Sequence, residues 1–142
     1  MIEYKRKIPT VEEYNYLNEK VGWGKIEEHI VEEALKNTLS AVCAYDNDKI
    51  IGSARIIGDK TMFIYVHSVR VVPEYQSRKV GSGIMNEICS IIEEYKKINP
   101  NLRVYLGVLK GKEEFYRKFG FITREEADLG KAMILKKDDL NW

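Results

Sequence analysis

The feature that most constrains the fold is a strand-forming run that ends at a proline and leads into a helix. Residues 61–72 are dense in β-branched and aromatic side chains, and Pro73, which has no N–H to donate to a sheet, follows them. A polar loop with Gly81 and Gly83 comes next, and apolar residues recur at helical spacing from Ile84 onward. This succession predicts a sheet covered by at least one amphipathic helix.

The rest of the chain alternates helical and strand-forming patterns. Thr10 with Glu13 makes a capping box that starts the first helix. The predicted helices cover residues 11–20, 25–37, 82–98 and 113–119, and the predicted strands cover residues 39–45, 50–57, 61–72, 102–108 and 132–135. We therefore expect an α+β (mixed α/β) fold with a largely antiparallel central sheet flanked by helices, in a single domain over residues 1–142.

Composition argues against several classes of function. The 142 residues carry 23 Lys and Arg against 22 Asp and Glu, so no bulk charge favours a nucleic acid or a membrane surface as partner. No apolar run has the length of a signal peptide or a membrane span, which predicts a cytoplasmic protein. Cys43 and Cys89 lack metal-ligand spacing, so no metal is expected and both are predicted to be reduced thiols.

The loop between the strand and the helix is a candidate phosphate site. Backbone N–H groups of such a loop point outward, and the positive end of the helix dipole lies behind them. The loop matches neither the Walker pattern nor the dinucleotide GxGxxG pattern. Spacing alone thus leaves two interpretations open, a phosphate loop and a simple strand-to-helix turn.

Three segments of the sequence carry a family resemblance. Residues 71–83, VVPEYQSRKVGSG, resemble the acetyl-CoA motif V-x-P-x-x-Q-x-x-G-x-G of the GNAT acetyltransferases. Residues 114–121, EFYRKFGF, resemble the F-Y-x-x-x-G-F motif of that family, and residues 46–52, DNDKIIG, resemble its D-x-x-x-I-I-G hairpin. Over most of its length the chain is similar to GNAT N-acetyltransferases, in a branch resembling the serotonin/arylalkylamine-type and small bacterial-type enzymes.

The resemblance implies a GNAT-like fold whose splayed strands hold acetyl-CoA. A bulge in the strand that ends near Val71 would separate it from the strand over residues 102–108, and the pantetheine arm would pair with the edge that this separation frees. The pyrophosphate would lie on the amides of the loop, and an N–H near Val71 would stabilise the oxyanion. The implied cofactor-binding residues are Val69, Val71, Gln76, Ser77, Arg78, Lys79, Val80, Gly81 and Ser82.

The resemblance also suggests catalytic and acceptor-side residues. Tyr116 matches the tyrosine that protonates the departing CoA thiolate in many relatives, although it could serve packing alone. His67 is the candidate base, with a hydrogen-bonded strand histidine as the alternative. By strand alternation Tyr65 and His67 should share a face with Val69 and Val71, and Tyr65 is a candidate substrate residue. Trp23 is the second, unless it only covers the edge of the core.

The implied activity is direct transfer of an acetyl group from acetyl-CoA to a primary amine of a small molecule. A non-catalytic acyl-CoA sensor, a longer acyl donor and a protein or peptide N-terminus as acceptor remain alternatives. The sequence departs from the family pattern at Lys79, where the motif has glycine, and at Ser68, where the branch often has Asp; no asparagine precedes Tyr116 at the usual place. The expected partner is a small-molecule amine, and the acceptor's identity and a homodimer are left open.

Overall fold

A computed structural model describes residues 1–138 and divides the chain into two compact units, Met1–Gly107 and a second that begins at Val108. The first unit holds one sheet in the order β1-β2-β3-β4-β5, in which every neighbouring pair is antiparallel except the parallel pair β4 and β5. Its strands are β1 (Ile2–Lys5), β2 (Ser40–Asp46), β3 (Lys49–Gly58), β4 (Phe63–Val71) and β5 (Arg103–Leu106). Its helices are α1 (Val11–Lys20), α2 (Glu28–Lys36) and α3 (Val80–Lys96), with a 3-10 turn at Pro73–Tyr75. The predicted α+β class with a largely antiparallel sheet is confirmed.

Helix α3 covers one face of the sheet. Its residues Ile84, Met85 and Ile88 are fully buried, as are Ile64 and Val66 of β4. Burying each such side chain contributes about 1.5–3 kcal/mol, so this face supplies much of the stability of the first unit. The face is almost wholly apolar.

Helices α1 and α2 cover the opposite face. Tyr14, Val31 and Leu35 form a small core there, and α1 contacts both β3 and β4. Helix α2 is shorter than predicted because the side chain of Asn15 holds the backbone N–H and C=O of Ile26, each at 2.9 Å, and keeps this segment out of the helix. Ile26, expected on the apolar face, is exposed instead.

Strand β1 was not predicted. It is only four residues long and pairs antiparallel with β2, with Glu3 opposite Tyr45. Its Tyr4 packs on α3, where a Cβ at Gly83 would lie 2.2 Å from the Tyr4 ring. Gly83 therefore allows the close approach of β1 to α3.

The second unit contains α4 (Glu113–Arg117), which is followed by Gly120 at φ +91°, the left-handed residue expected after this helix. The predicted strand over residues 132–135 is wrong. Residues 131–137 have no regular structure, and Met133 and Leu135 are 96% and 90% exposed. A strand needs a hydrogen-bonded neighbour, and no strand in the described part of the chain pairs with this segment.

Candidate functional site

Strand β4 carries a β-bulge at the centre of the first unit. Arg70 pairs with Ser53 and His67 pairs with Arg55, so two residues of β4, Ser68 and Val69, lie opposite one residue of β3. Ser68 adopts the left-handed conformation with φ +57°, which is uncommon for a residue other than glycine. The bulge predicted near Val71 is therefore present.

Beyond the bulge, β4 has an open edge. The parallel pairing with β5 ends at Val66 and Leu106, while β4 continues to Val71. The N–H of Val72 points to β3, where it donates to Ile51 O at 2.9 Å, so the N–H of Val71 faces the opposite, unpaired edge. Gln76 Nε2 donates to the carbonyl of Val71 at 3.0 Å and occupies the acceptor of this edge.

The bulge corrects one expectation about faces. Strand alternation predicted that His67 and Val71 share a face, and this is wrong because the inserted residue shifts the alternation by one. Val71 faces α3: a Cβ at Gly52 would lie 3.4 Å from Val71 Cγ2 and 2.9 Å from Ile84 Cδ1. His67 lies on the other face, with Ser53, Arg55 and Arg70.

The N-terminus of α3 presents free amide groups. Lys79 is the N-cap, in the left-handed conformation with φ +62° and ψ +19°, and no side chain caps the helix. The first helical hydrogen bond joins Gly83 N to Lys79 O at 3.1 Å, so the amides of the first helical turn, Val80, Gly81 and Ser82, have no acceptor within the helix. Three donors without a helical acceptor at the positive end of a 17-residue helix are groups that can bind an anion.

The loop that leads to this helix is braced by side chains. Tyr75 donates a hydrogen bond to Asp46 Oδ2 at 2.5 Å, and the guanidinium of Arg78 lies 4.6 Å from the centre of the Tyr75 ring. Ser77 and Lys79 are exposed beside it. The loop is thus fixed to the β2–β3 hairpin, and two cationic residues, Arg78 and Lys79, directly precede the free amides of α3.

A buried arginine organises the opposite face of the sheet. Arg70 is 3% exposed, and its guanidinium lies 4.1 Å from the centre of the Tyr14 ring. It donates to the backbone carbonyls of Ser68 and Tyr14 at 3.2 and 2.9 Å, to Ser53 Oγ at 3.1 Å, and to Asn18 Oδ1. Burial lowers the pKa of Arg70 to about 10, which leaves it cationic at neutral pH.

His67 lies at the end of a hydrogen-bonded chain on this face. Tyr14 Oη and Ser68 Oγ are 3.0 Å apart, and Ser68 Oγ is 2.6 Å from His67 Nδ1. Tyr14 and Ser68 are buried, whereas His67 is exposed at its outer edge. Desolvation of its inner side, followed by the charges of Arg55 and Arg70, lowers the pKa of His67 below its usual 6.5.

The two candidate substrate residues lie in different parts of the first unit. The Tyr65 ring is 6.1 Å from the His67 ring, and a Cβ at Gly107, just after β5, would lie 2.4 Å from Tyr65 Oη. Tyr65 thus stands where β4 and β5 separate. Trp23 is 49% exposed in the α1–α2 loop, between Gly22 at φ +83° and Gly24 at φ +80°.

A groove of about 550 Å³ lies beside the α1–α2 loop. Apolar and aromatic residues, which include Tyr16 and Ile26, line it together with charged side chains that include Glu12, Glu19 and Lys25; Lys25 Nζ lies 3.4 Å from Glu19 Oε1. Trp23 does not line this groove, although it belongs to the same loop. The structure therefore gives α1 and α2 a concave surface that the sequence did not indicate.

Tyr116 belongs to the second unit. Its ring packs edge-on against Phe115 at 5.0 Å and Phe121 at 6.4 Å, which explains the aromatic spacing of the second motif. Burial raises the pKa of Tyr116 above its usual 10, so the phenol stays protonated at neutral pH. A protonated phenol can donate a proton or a hydrogen bond, and packing and catalysis are compatible uses of this residue.

Sequence reasoning missed two contributors to the polar face, Tyr14 and Arg70. Tyr14 fits the apolar stripe of α1, and nothing in that pattern shows that its hydroxyl meets Ser68. Arg70 stands inside a strand that is otherwise dense in apolar residues, and this position was a usable signal, because a charged side chain there must find several hydrogen-bond partners. Ser68 was noticed only as a departure from the family pattern.

Comparison with known proteins decides the family. A profile of the Acetyltransferase (GNAT) domain matches residues 37–123, which is more than half of the chain. The chain belongs to the GNAT acetyltransferase family. The predicted resemblance is thereby confirmed, and the bulged β4 and the uncapped α3 lie inside the matched region of this GNAT domain.

Relatives agree with this assignment. An uncharacterised ycf52-like N-acetyltransferase of Prochlorococcus marinus is 30% identical over 113 residues, which cover 77% of this chain and 61% of that relative. A protein of unknown function from meticillin-resistant Staphylococcus aureus has a structure with a TM-score of 0.83 at 30% identity, covering 96% of this chain and 100% of the other. A GNAT family acetyltransferase of Streptococcus pneumoniae has a TM-score of 0.80 at 26% identity, covering 98% and 100%. The GNAT fold is thus shown.

Residues 1–138 contain neither a membrane-spanning helix nor a cluster of metal ligands. No helix there is long and apolar enough to cross a membrane. No group of three or more His, Cys, Asp or Glu side chains in the same residues is arranged to hold a metal ion. Cys43 and Cys89 are free thiols, and burial raises the pKa of Cys43 to about 11, which makes it a poor nucleophile.

Proposed function

We propose that this GNAT domain transfers an acetyl group from acetyl-CoA to a primary amine of a small molecule. The observation that carries the proposal is the open edge of β4 beside the uncapped N-terminus of α3. An unpaired Val71 N–H and three free amides of α3 lie on consecutive segments of the chain. They suit a ligand that joins an amide-bearing arm to a diphosphate.

The residues of this region fit acetyl-CoA, which would supply the acetyl group as a thioester. Val69 and Val71 would pair with the amides of the pantetheine as a neighbouring strand would. Gly81 and Ser82, with Val80, would donate their amides to the pyrophosphate, and Arg78 and Lys79 would add positive charge beside it. Gln76 would act indirectly, because its side chain fixes the Val71 carbonyl.

The proposed chemistry needs one base and one acid. His67 would remove one proton from the substrate ammonium through Nε2, since Nδ1 is in contact with Ser68, and would later give it to solvent, so that the free amine could attack the thioester carbonyl. The Val71 N–H stabilises the oxygen as negative charge develops on it. As the new C–N bond formed and the C–S bond broke, the nitrogen would lose its second proton to solvent, Tyr116 would protonate the thiolate, and solvent would return one proton to the phenol. The products are an amide, free CoA and one proton.

The depressed pKa of His67 supports this role. An unprotonated imidazole at neutral pH can accept a proton at once, whereas a ring with a raised pKa would already be charged. The face around His67 is cationic through Arg55 and Arg70, because the guanidinium of Arg70 donates its hydrogen bonds to carbonyl, hydroxyl and amide oxygens, all of which are neutral. That field favours the neutral ring.

The acceptor is proposed to enter on the face that carries His67, Tyr65 and the α1–α2 loop. Trp23 is half exposed and offers an aromatic surface that an aryl or alkyl amine could contact. The groove beside this loop combines Tyr16 and Ile26 with Glu12, a carboxylate that a cation attached to an apolar body could approach.

Release of free CoA thiol from acetyl-CoA tests the proposed function directly. The acceptors would be polyamines, arylalkylamines, amino acids and short peptides, each with a no-acceptor control. We expect turnover with at least one small amine and only background release without it. Binding of acetyl-CoA with no turnover on any acceptor would favour the sensor, and turnover with peptides alone would move the acceptor class to protein N-termini.

A further inference from the structure

The hydrogen-bond chain behind His67 consists of Ser68 and Tyr14, and neither residue belongs to the motifs of the family resemblance. The fold nevertheless fixes the geometry of this chain. Ser68 is held in the left-handed conformation, and its hydroxyl lies between Tyr14 Oη at 3.0 Å and His67 Nδ1 at 2.6 Å. Both the serine and the tyrosine are buried. The position of the hydroxyl is therefore fixed from three directions, by the bulge, by α1 and by the imidazole.

The bulge is what makes this contact available. In a regular strand the side chains of residues 67 and 68 would point to opposite faces and could not meet. Because Ser68 is the inserted residue of the bulge, its side chain turns to the α1 face, where His67 already lies. The same bulge that frees the β4 edge thus also brings a hydroxyl to the histidine.

We propose that Ser68, held in place by Tyr14, is a positioning residue that accepts the Nδ1 hydrogen of His67 and so leaves the lone pair of the neutral ring on Nε2. A hydroxyl oxygen can accept this hydrogen and still form its bond with Tyr14, since it has two lone pairs and one hydrogen. The inference rests on the proposed function, in which His67 is the base.

The direction of the Ser68 bond decides whether the ring can work as a base. If Nδ1 carries the hydrogen, Nε2 accepts a proton from the substrate and the Ser68 bond is kept in the charged ring. If Ser68 donated to Nδ1 instead, Nε2 would carry the hydrogen and could accept nothing. Only the first arrangement lets the ring gain and lose a proton without turning a buried hydroxyl.

The charged and titratable groups that face His67 come from three elements of the first unit. Tyr14 comes from α1, Arg55 from β3, and Tyr65 and Arg70 from β4 itself. Arg55 is held by Thr38 Oγ1 and Ala34 O, at 2.9 and 3.1 Å. The charges of Arg55 and Arg70 disfavour the protonated ring of His67. The neutral oxygen of Ser68 can accept a hydrogen bond from Nδ1 in both protonation states of the ring.

Nitrogen NMR of the imidazole rings tests the inference without any need for activity. The chain has two histidines, so His29→Gln assigns the His67 signals. His29 is exposed and its Nδ1 lies 3.5 Å from Glu27 Oε2, so it serves as an internal reference for a surface ring beside a carboxylate. In the wild type at neutral pH we expect the Nδ1–H form of His67 to dominate. A His67 ring in the Nε2–H form would overturn the inference whatever the activity.

Variants separate the hydroxyl from the backbone. Ser68→Ala removes the hydroxyl and keeps the left-handed strain, while Ser68→Gly removes both. We expect both to shift His67 away from the Nδ1–H form and to lower kcat/KM by about tenfold, less than loss of the base itself. Tyr14→Phe should have a smaller effect of the same sign. Unchanged ring signals in both Ser68 variants would contradict the inference.

Ser40→Ala is the matched control, because it removes a serine–tyrosine hydrogen bond, to Tyr95, that has no place in the chain behind His67. It should leave the His67 ring and the pH profile unchanged. The proposed function can fail separately. If His67→Gln keeps the pH dependence of kcat/KM while the wild-type ring is in the Nδ1–H form and responds to Ser68, the positioning holds and the assignment of His67 as the base is wrong.

Discussion

The two faces of the sheet, one beside α3 and one beside α1 and α2, differ in how clearly sequence motifs indicate their functional groups. The β4–α3 side consists of consecutive residues, lies inside the matched profile over residues 37–123, and is built largely from backbone groups. The α1–α2 side takes its helices, which end at Lys36, from outside the profile, and it joins side chains of distant segments, such as Tyr14 of α1 and Ser68 of β4. A site made of backbone groups depends on loop conformation, so a short sequence motif can indicate it. A site made of side chains can differ between enzymes that act on different acceptors.

Removal of the Tyr116 hydroxyl should have the largest effect on turnover. This residue belongs to the second unit, whereas both sides compared above belong to the first. Tyr116→Phe keeps the edge-on ring contacts, so we expect an unchanged fold and acetyl-CoA affinity and a chemical step about 10 to 10⁴-fold slower. Single-turnover kinetics would measure it, with Tyr95→Phe as the control. Full activity where chemistry limits the rate would reduce Tyr116 to packing.

Loss of His67 should have the next largest effect and should concern pH. The pKa of His67 in the folded protein is lowered from the usual 6.5, so the ring loses its proton at a lower pH than a free imidazole does. As pH rises through this lowered pKa, kcat/KM should increase, and it should level off by neutrality. His67→Gln should abolish this limb and lower kcat/KM by about a hundredfold. His29→Gln is the control, and a limb that survives in His67→Gln points to water or the amine itself.

Truncation of Trp23 should separate the two sides. Since the side chain is half exposed, Trp23→Ala should change stability by roughly 0.5 kcal/mol or less. It should raise KM for the amine by about tenfold, the value of one lost apolar contact, and leave KM for acetyl-CoA unchanged. Ile98→Ala, another exposed apolar residue, is the control. Equal effects on both substrates would show that the two sides are not independent.

Replacement of Lys79 should have the smallest effect on turnover and should act on the cofactor side. The observed φ of +62° places this lysine in a conformation that costs a side-chain-bearing residue about 1 kcal/mol relative to glycine. Lys79→Gly should therefore raise the melting temperature by a few degrees, since about 1 kcal/mol has that effect in a chain of this size. Lys79→Ala keeps the strain and should not stabilise the fold.

The same variants test the charge of Lys79. An exposed contact between an ammonium and a phosphate is worth on the order of 1 kcal/mol and weakens with salt. Lys79→Gly should bind acetyl-CoA within about tenfold of the wild type at low salt, with a flatter salt dependence, and Lys79→Ala should lose more. Much tighter binding by Lys79→Gly at every salt concentration would mark the lysine as a defect and favour the sensor.

Sequence patterns predicted the local parts of this account well. The capping box of Thr10 and Glu13 is present, and α1 has the predicted bounds of Val11–Lys20. The β2–β3 hairpin turns at Asn47 and Asp48, both with positive φ, as the turn-forming stretch indicated. These features depend on residues within a few positions of one another.

The missed features depend on long-range contacts. The bulge at Ser68 reverses the face of His67 relative to Val71, and period-two alternation cannot show an inserted residue. The late start of α2 depends on Asn15, eleven positions before Ile26. Strand β1 is stabilised by pairing with β2 and by Tyr4 on Gly83, neither of which is visible in four residues.

Acetyl-CoA binding measured by thermal denaturation tests the central claim most directly, because it addresses the open β4 edge and the α3 N-terminus before any acceptor is known. At about 100 times its Kd, a ligand of the folded state stabilises it by about 2.7 kcal/mol, and acetyl-CoA should accordingly raise the melting temperature by several degrees. NAD and ATP at equal concentration should do little. No shift with acetyl-CoA up to millimolar concentration would contradict the account.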